Sequence, residues 1–134
     1  MKLISVTRLR LRSIRYVPAF IWIAWSSARQ AKRATGNIGI QIVRDAHLTF
    51  WTLTAWESEA EMRAFMLTGA HHRAMPKLLN WCDEASVVHW YQDNADLPSL
   101  AEAHRRLLTE GRATKLRYPS ASQRDHQIAE PSSF

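Results

Sequence analysis

Along Leu3 to Arg12 (LISVTRLRLR), Leu3, Leu9 and Leu11 fall on one parity and mostly arginine on the other. A period of two predicts a strand with one dry face and one wet face. The pattern then lengthens. Pro18 suits the opening turn of a helix, where its missing N–H has no partner to lose, and Gly36 and Asn37 supply a stop after about Thr35. Phe20 to Trp25 is apolar on every side of that helix. Such a helix is buried on two sides, which predicts sheet beneath it and a second subunit above.

Residues 38–45 (IGIQIVRD) and 48–56 (LTFWTLTAW) read as two strands joined by a short turn near Asp45 to His47, rich in β-branched and aromatic residues. A second helix follows from Ser58, which forms with Glu61 the S-x-x-E capping box. Met62, Phe65 and Met66 then make a buried stripe. Gly69 is expected to end this run in a left-handed conformation. A helical piece resumes around His71 to Ala74, with Met75, Leu78, Leu79 and Cys82 on one face, and 85–93 (ASVVHWYQD) is the fourth strand. Leu100 to Glu110 reads as a short helix ended by Gly111, 112–118 as an edge strand, and the polar, Ser-rich chain from Pro119 as a flexible tail.

The order β-α-β-β-α-β predicts an α+β, ferredoxin-like arrangement, an antiparallel four-stranded sheet with helices on one face. Residues 1–93 form this domain, 94–118 add a C-terminal helix and edge strand to it, and 119–134 are the tail. Phe50, Leu48 and Trp56 share one parity of the third strand while Trp51 and Leu53 share the other, so both of its sides are dry. Two copies closing sheet against sheet would hide both. The expected assembly is a homodimeric α+β barrel.

Composition adds constraints. The 134 residues suit one domain. A net charge of +6 invites a nucleic-acid partner, but no helix-turn-helix, zinc-finger or ribonucleoprotein spacing is present. Arg8, Arg10, Arg12 and Arg15 read as the wet face of a strand, and Arg29, Lys32 and Arg33 as the basic end of a helix. Nucleic acid is therefore not the expected partner. A membrane surface is compatible with the charge but not favoured. Val17 to Trp25 is too short to cross a bilayer, which needs about 20 residues. Cys82 is the only cysteine, which excludes an intramolecular disulfide and a cysteine metal cluster and is compatible with a cytoplasmic location.

Candidate chemistry centres on histidine. A neutral imidazole can act as base, hydrogen-bond donor or metal ligand near pH 7. His71 and His72 are adjacent on a helix, so their side chains diverge by about 100°, and only one is expected to face a pocket. His89 lies mid-strand between Val87 and Tyr91. Trp51, Trp56, Met62 and Phe65 are candidate walls for a hydrophobic or aromatic ligand. Zinc-hydrolase, nucleophile-elbow, P-loop and Rossmann patterns are absent.

The order of elements, with WESE (Trp56 to Glu59) opening the second helix and histidines closing it, resembles the antibiotic-biosynthesis-monooxygenase superfamily of small dimeric α+β barrels. The resemblance covers residues 1 to about 92. It implies a monooxygenase-like protein with a pocket between sheet and helices, the alternative being a non-catalytic ligand-binding or interaction dimer. The start, MKLISVTRL, is similar to the haem-degrading branch. By that resemblance Thr7 stands where the branch has a pocket asparagine, Phe65 where it has a tryptophan, and His71 or His72 where it has the axial histidine. Haem is thus the cofactor to test, with Arg73 and Lys77 as propionate partners.

Overall fold

The computed structural model describes residues 1–132. Strand β1 (Lys2–Leu11) leads through a single 3-10 turn to helix α1 (Val17–Arg33), then β2 (Asn37–Asp45), β3 (Thr49–Trp56), α2 (Glu59–Met66), α3 (Gly69–Trp81) and β4 (Cys82–Gln92). Helix α4 (Leu100–Glu110), the two-residue strand β5 (Arg112–Ala113) and the turn of helix α5 (Ala121–Arg124) complete the chain. The sheet order is β2-β3-β1-β4-β5, with every pairing antiparallel. This is the predicted ferredoxin-like α+β fold, with the edge strand reduced to two residues.

The local signals act as expected. Ser58 accepts from the Glu61 N–H at 3.3 Å and caps α2. Gly36 has φ +86°, a left-handed conformation that favours glycine, and the Glu61 side chain of α2 packs where a Cβ would stand. Gly69 is left-handed, φ +61°, but opens α3 at once, so the break spans only Leu67 and Thr68 and α3 begins two residues earlier than the histidine pair.

Helices α1, α2 and α3 cover one face of the sheet. Leu3, Trp56, Met62, Phe65 and Ala31 form one buried cluster there, and Leu11, Phe20, Phe50 and Cys82 another. The opposite face carries Ile4, Val6, Trp51, Leu53, Val88 and Trp90, which pack with Ala103 and Leu107 of α4. Both parities of β3 are indeed dry. Within the chain α4 lies on this second side, because a C-terminal helix with a buried Ala103–Leu107 stripe supplies apolar surface locally.

The arginine face of β1 is correspondingly not wet. Arg8 is 4% exposed and pairs with Glu84, also 4%, at 2.8 Å. Arg10 reaches Asp83 at 2.8 Å and Glu84 at 3.2 Å, and Ser120 Oγ donates to Glu84 at 3.2 Å. Within the segment expected to be a tail, Gln123 is buried and bridges β4 to the chain after β5. It accepts from Ala85 N–H at 3.0 Å and donates to the carbonyls of Ala85 at 2.9 Å and Thr114 at 3.0 Å. Residues 133–134 of that tail lie outside the described residues.

Candidate functional site

Between the sheet and α1–α3 lies a cavity of about 440 Å³, within the usual range for small-molecule sites. The strand register builds its floor. Ser5 lies opposite Thr54 on one side and His89 on the other, and Thr7 lies opposite Thr52 and Val87. Since side chains alternate across a strand, Ser5, Thr7, Thr52, Thr54 and His89 all face the same way, into the cavity. Four hydroxyls and an imidazole thus floor a chamber walled by Phe20, Trp56, Met62, Phe65 and Met75.

His71 stands in the wall. Its ring packs on Phe65 with centroids 4.8 Å apart, and Phe65 packs on Trp56 at 5.2 Å. The imidazole Nδ1 lies 3.3 Å from the Met66 carbonyl, which leaves Nε2 for a ligand. Gln30 of α1 holds this segment. Its side-chain oxygen accepts the His71 backbone N–H at 2.9 Å, and its amide donates to the Thr68 and Phe65 carbonyls at 2.8 and 3.2 Å. One side chain thereby satisfies groups orphaned where α2 stops and α3 starts.

Burial lowers the His71 pKa, with the Met66 carbonyl opposing and His72 adding a little repulsion. The His89 pKa is also lowered, first by burial and then by the nearby Arg112, while Glu59 works the other way. Both rings are accordingly held neutral near pH 7. His89 Nε2 and Trp56 Nε1 are buried without hydrogen-bond partners among the described residues. Cys82 is chemically quiet, since burial, aided by Asp83, pushes its thiol up to about 12.

The cavity thus brings together Thr7, Trp56, Met62, Phe65, His71 and His89 of the candidates. It leaves out two. His72 is exposed on the outer side of α3, as the helical twist requires. Trp51 is fully buried on the opposite face, where its Nε1 donates to Asp45 at 2.9 Å and Arg8 stacks 5.8 Å from its ring; strand parity alone separates it from Trp56. Ser5, Thr52, Thr54, Gln30 and Arg112 were not legible as site residues. The first three are short residues with no motif, and the last two are brought in by tertiary contact.

The residues expected for haem are only partly brought together here. Arg73 and Lys77 are exposed and outside the cavity lining. Below His71 the chamber is floored by hydroxyls and a second imidazole.

The chain belongs to a family described as a domain of unknown function, DUF3291, which matches residues 14–118. No curated protein matches it. Its fold is that of several solved structures. SnoaB, a cofactor-independent oxygenase from Streptomyces nogalater, is 10% identical, with a TM-score of 0.59 over 69% of this chain and 94% of its own. A Nitrosomonas europaea protein provisionally named an antibiotic biosynthesis monooxygenase is 16% identical, with a TM-score of 0.62 over 68% of this chain and 89% of its own. A Mycobacterium tuberculosis protein is 9% identical, with a TM-score of 0.64 over 72% of this chain and its entire own length, 100%. At these identities the likeness shows the fold, that of the antibiotic-biosynthesis-monooxygenase proteins. Among the described residues no helix is long and apolar enough to cross a membrane.

Proposed function

We propose that this DUF3291 member binds a hydrophobic, aromatic small molecule in the cavity between sheet and helices and acts on it as a monooxygenase-like enzyme. The observation that carries the reading is His71, a neutral imidazole set in the wall of a largely apolar chamber above a hydroxyl floor. A neutral imidazole can take a proton from an activated C–H or O–H of a bound aromatic. The hydroxyls of Ser5, Thr7, Thr52 and Thr54 supply hydrogen bonds to the oxygens of the resulting anion. Held away from water, that anion is electron-rich enough to reduce dioxygen. Conversion of a ring CH₂ to a carbonyl takes one oxygen atom of O₂, and the other leaves as water with the two hydrogens. The fold shared with SnoaB supports this by analogy.

The test is oxygen uptake with anthrone, whose ring CH₂ is acidified by a carbonyl. The expected result is uptake by the wild-type protein that His71→Ala abolishes. No uptake with either anthrone or 1,4-naphthohydroquinone would remove the enzymatic reading. The alternative is then a non-catalytic binder using the same cavity, a reading favoured by Thr7 and Phe65 standing where the resembling branch has asparagine and tryptophan.

The homodimer belongs to this proposal in a changed form. With α4 on the second sheet face, a cluster of exposed apolar side chains is left on α1, where Ile21, Trp22 and Trp25 are 50%, 66% and 51% exposed. Arg29 and Arg33 continue the same outward stripe and, with both tryptophans, line an open groove between α1 and α2. Antiparallel α1 helices about a twofold axis would set the tryptophans of one copy against the arginines of the other, a self-complementary contact. A cytoplasmic location goes with the reading, supported by a buried free thiol at Cys82.

A further inference from the structure

The cavity is electrically lopsided. Among the described residues its lining holds two cations, Arg112 and Lys115, and no carboxylate. Both cations come from the chain after α4. Strand β5 places Arg112 opposite Val87, on the cavity face and one step along β4 from His89. Arg112 is exposed at the rim and, like several other surface arginines, forms no ion pair among the described residues. The one carboxylate that acts on His89, Glu59, is engaged by Arg63 at 2.8 Å.

We infer that the cavity takes an aromatic acid, its carboxylate held at the β5 rim by Arg112 with Lys115 beside it and its ring lying among Trp56, Phe65 and His71. The inference rests on the aromatic-pocket reading above and adds the charge of the ligand. A guanidinium forks onto a carboxylate through two parallel N–H donors. Cations without counter-charges at the mouth of a low-dielectric cleft focus a positive potential into it. The neutral His89 nearby adds no charge of its own but offers an unpartnered nitrogen to the acid's second oxygen.

The test compares 2-naphthoate with 2-naphthol, which share a ring system and differ in charge at pH 7, by titration calorimetry on the full chain. The wild type is expected to bind naphthoate about tenfold or more tightly than naphthol, a difference of about 1.4 kcal/mol. Arg112→Gln should shrink that ratio several-fold, and further combination with Lys115→Gln should bring it to near one. Arg44→Gln, a charge-matched change at an exposed position outside the lining, should leave the ratio intact, with circular dichroism confirming the fold of each variant. Equal binding of the two probes by the wild type, or a ratio untouched by Arg112→Gln, overturns the acid-binding inference and leaves the aromatic pocket standing. Failure of both probes to bind overturns the pocket and the inference with it.

Discussion

The side-chain oxygen of Gln30 accepts the backbone N–H of His71 at 2.9 Å, tying the last turn of α1 to the first turn of α3. The same amide donates to the last carbonyls around the helix break, so the candidate base is positioned by a residue 41 positions away in sequence. Gln30→Leu is expected to leave those groups unsatisfied and to cost about 1–3 kcal/mol. Urea unfolding measures the loss, and the amide shifts of residues 68–72 report whether the turn moves. Unchanged stability and shifts would show the contact to be incidental.

The histidine pair separates cleanly by geometry. His71→Ala should weaken binding of 2-naphthol by about tenfold or more, while His72→Ala, on the exposed side of α3, should match the wild type. Equal effects of the two changes would contradict the assignment.

Because burial lowers the His71 and His89 pKa values, the unfolded chain binds protons at these rings before the folded chain does. Stability from this source is therefore full above the ordinary histidine value of 6.5 and declines as pH falls below it. The groups acting on these rings are His72 at His71, and Arg112, Glu59 and Arg63 at His89. Two-dimensional NMR titration should place both imidazoles below 6.5, and His71→Gln should flatten part of the decline in melting temperature on acidification. A ring titrating above 6.5 would refute the burial argument for it.

Leu107 is fully buried beneath α4 against the second sheet face. Leu107→Ala is expected to destabilise by about 2–5 kcal/mol, transfer and cavity terms together. A loss under half a kilocalorie in guanidinium unfolding would mean that α4 does not hold this face in solution.

Replacement of both Trp22 and Trp25 by glutamate should convert the proposed homodimer to monomer in sedimentation velocity at micromolar concentration without altering the melting temperature of the protomer. A double variant that still sediments as a dimer would place the interface elsewhere.

The order of elements and the capping serine were readable from the sequence because each depends on neighbours within a few residues: Ser58 on Glu61, Gly36 on its own φ, and the Met62–Phe65 stripe on helical period. Period-two parity likewise put Trp56 and Trp51 on opposite sides of the third strand. The same parity could not say which side holds the cavity, so Trp51 was grouped with Trp56 although Asp45 and Arg8 claim it on the far face. Nor could it show that α4 would cover that face.

Sequence by itself determined the local conformations and the two dry sides of β3, since these follow from side-chain volume, branching and spacing. Tertiary structure alone decided which side is hollow, which histidine looks into it, and which cations stand at its rim. Those outcomes depend on strand register and on contacts from Gln30, Arg112 and α4, whose distance along the chain carries no periodic trace.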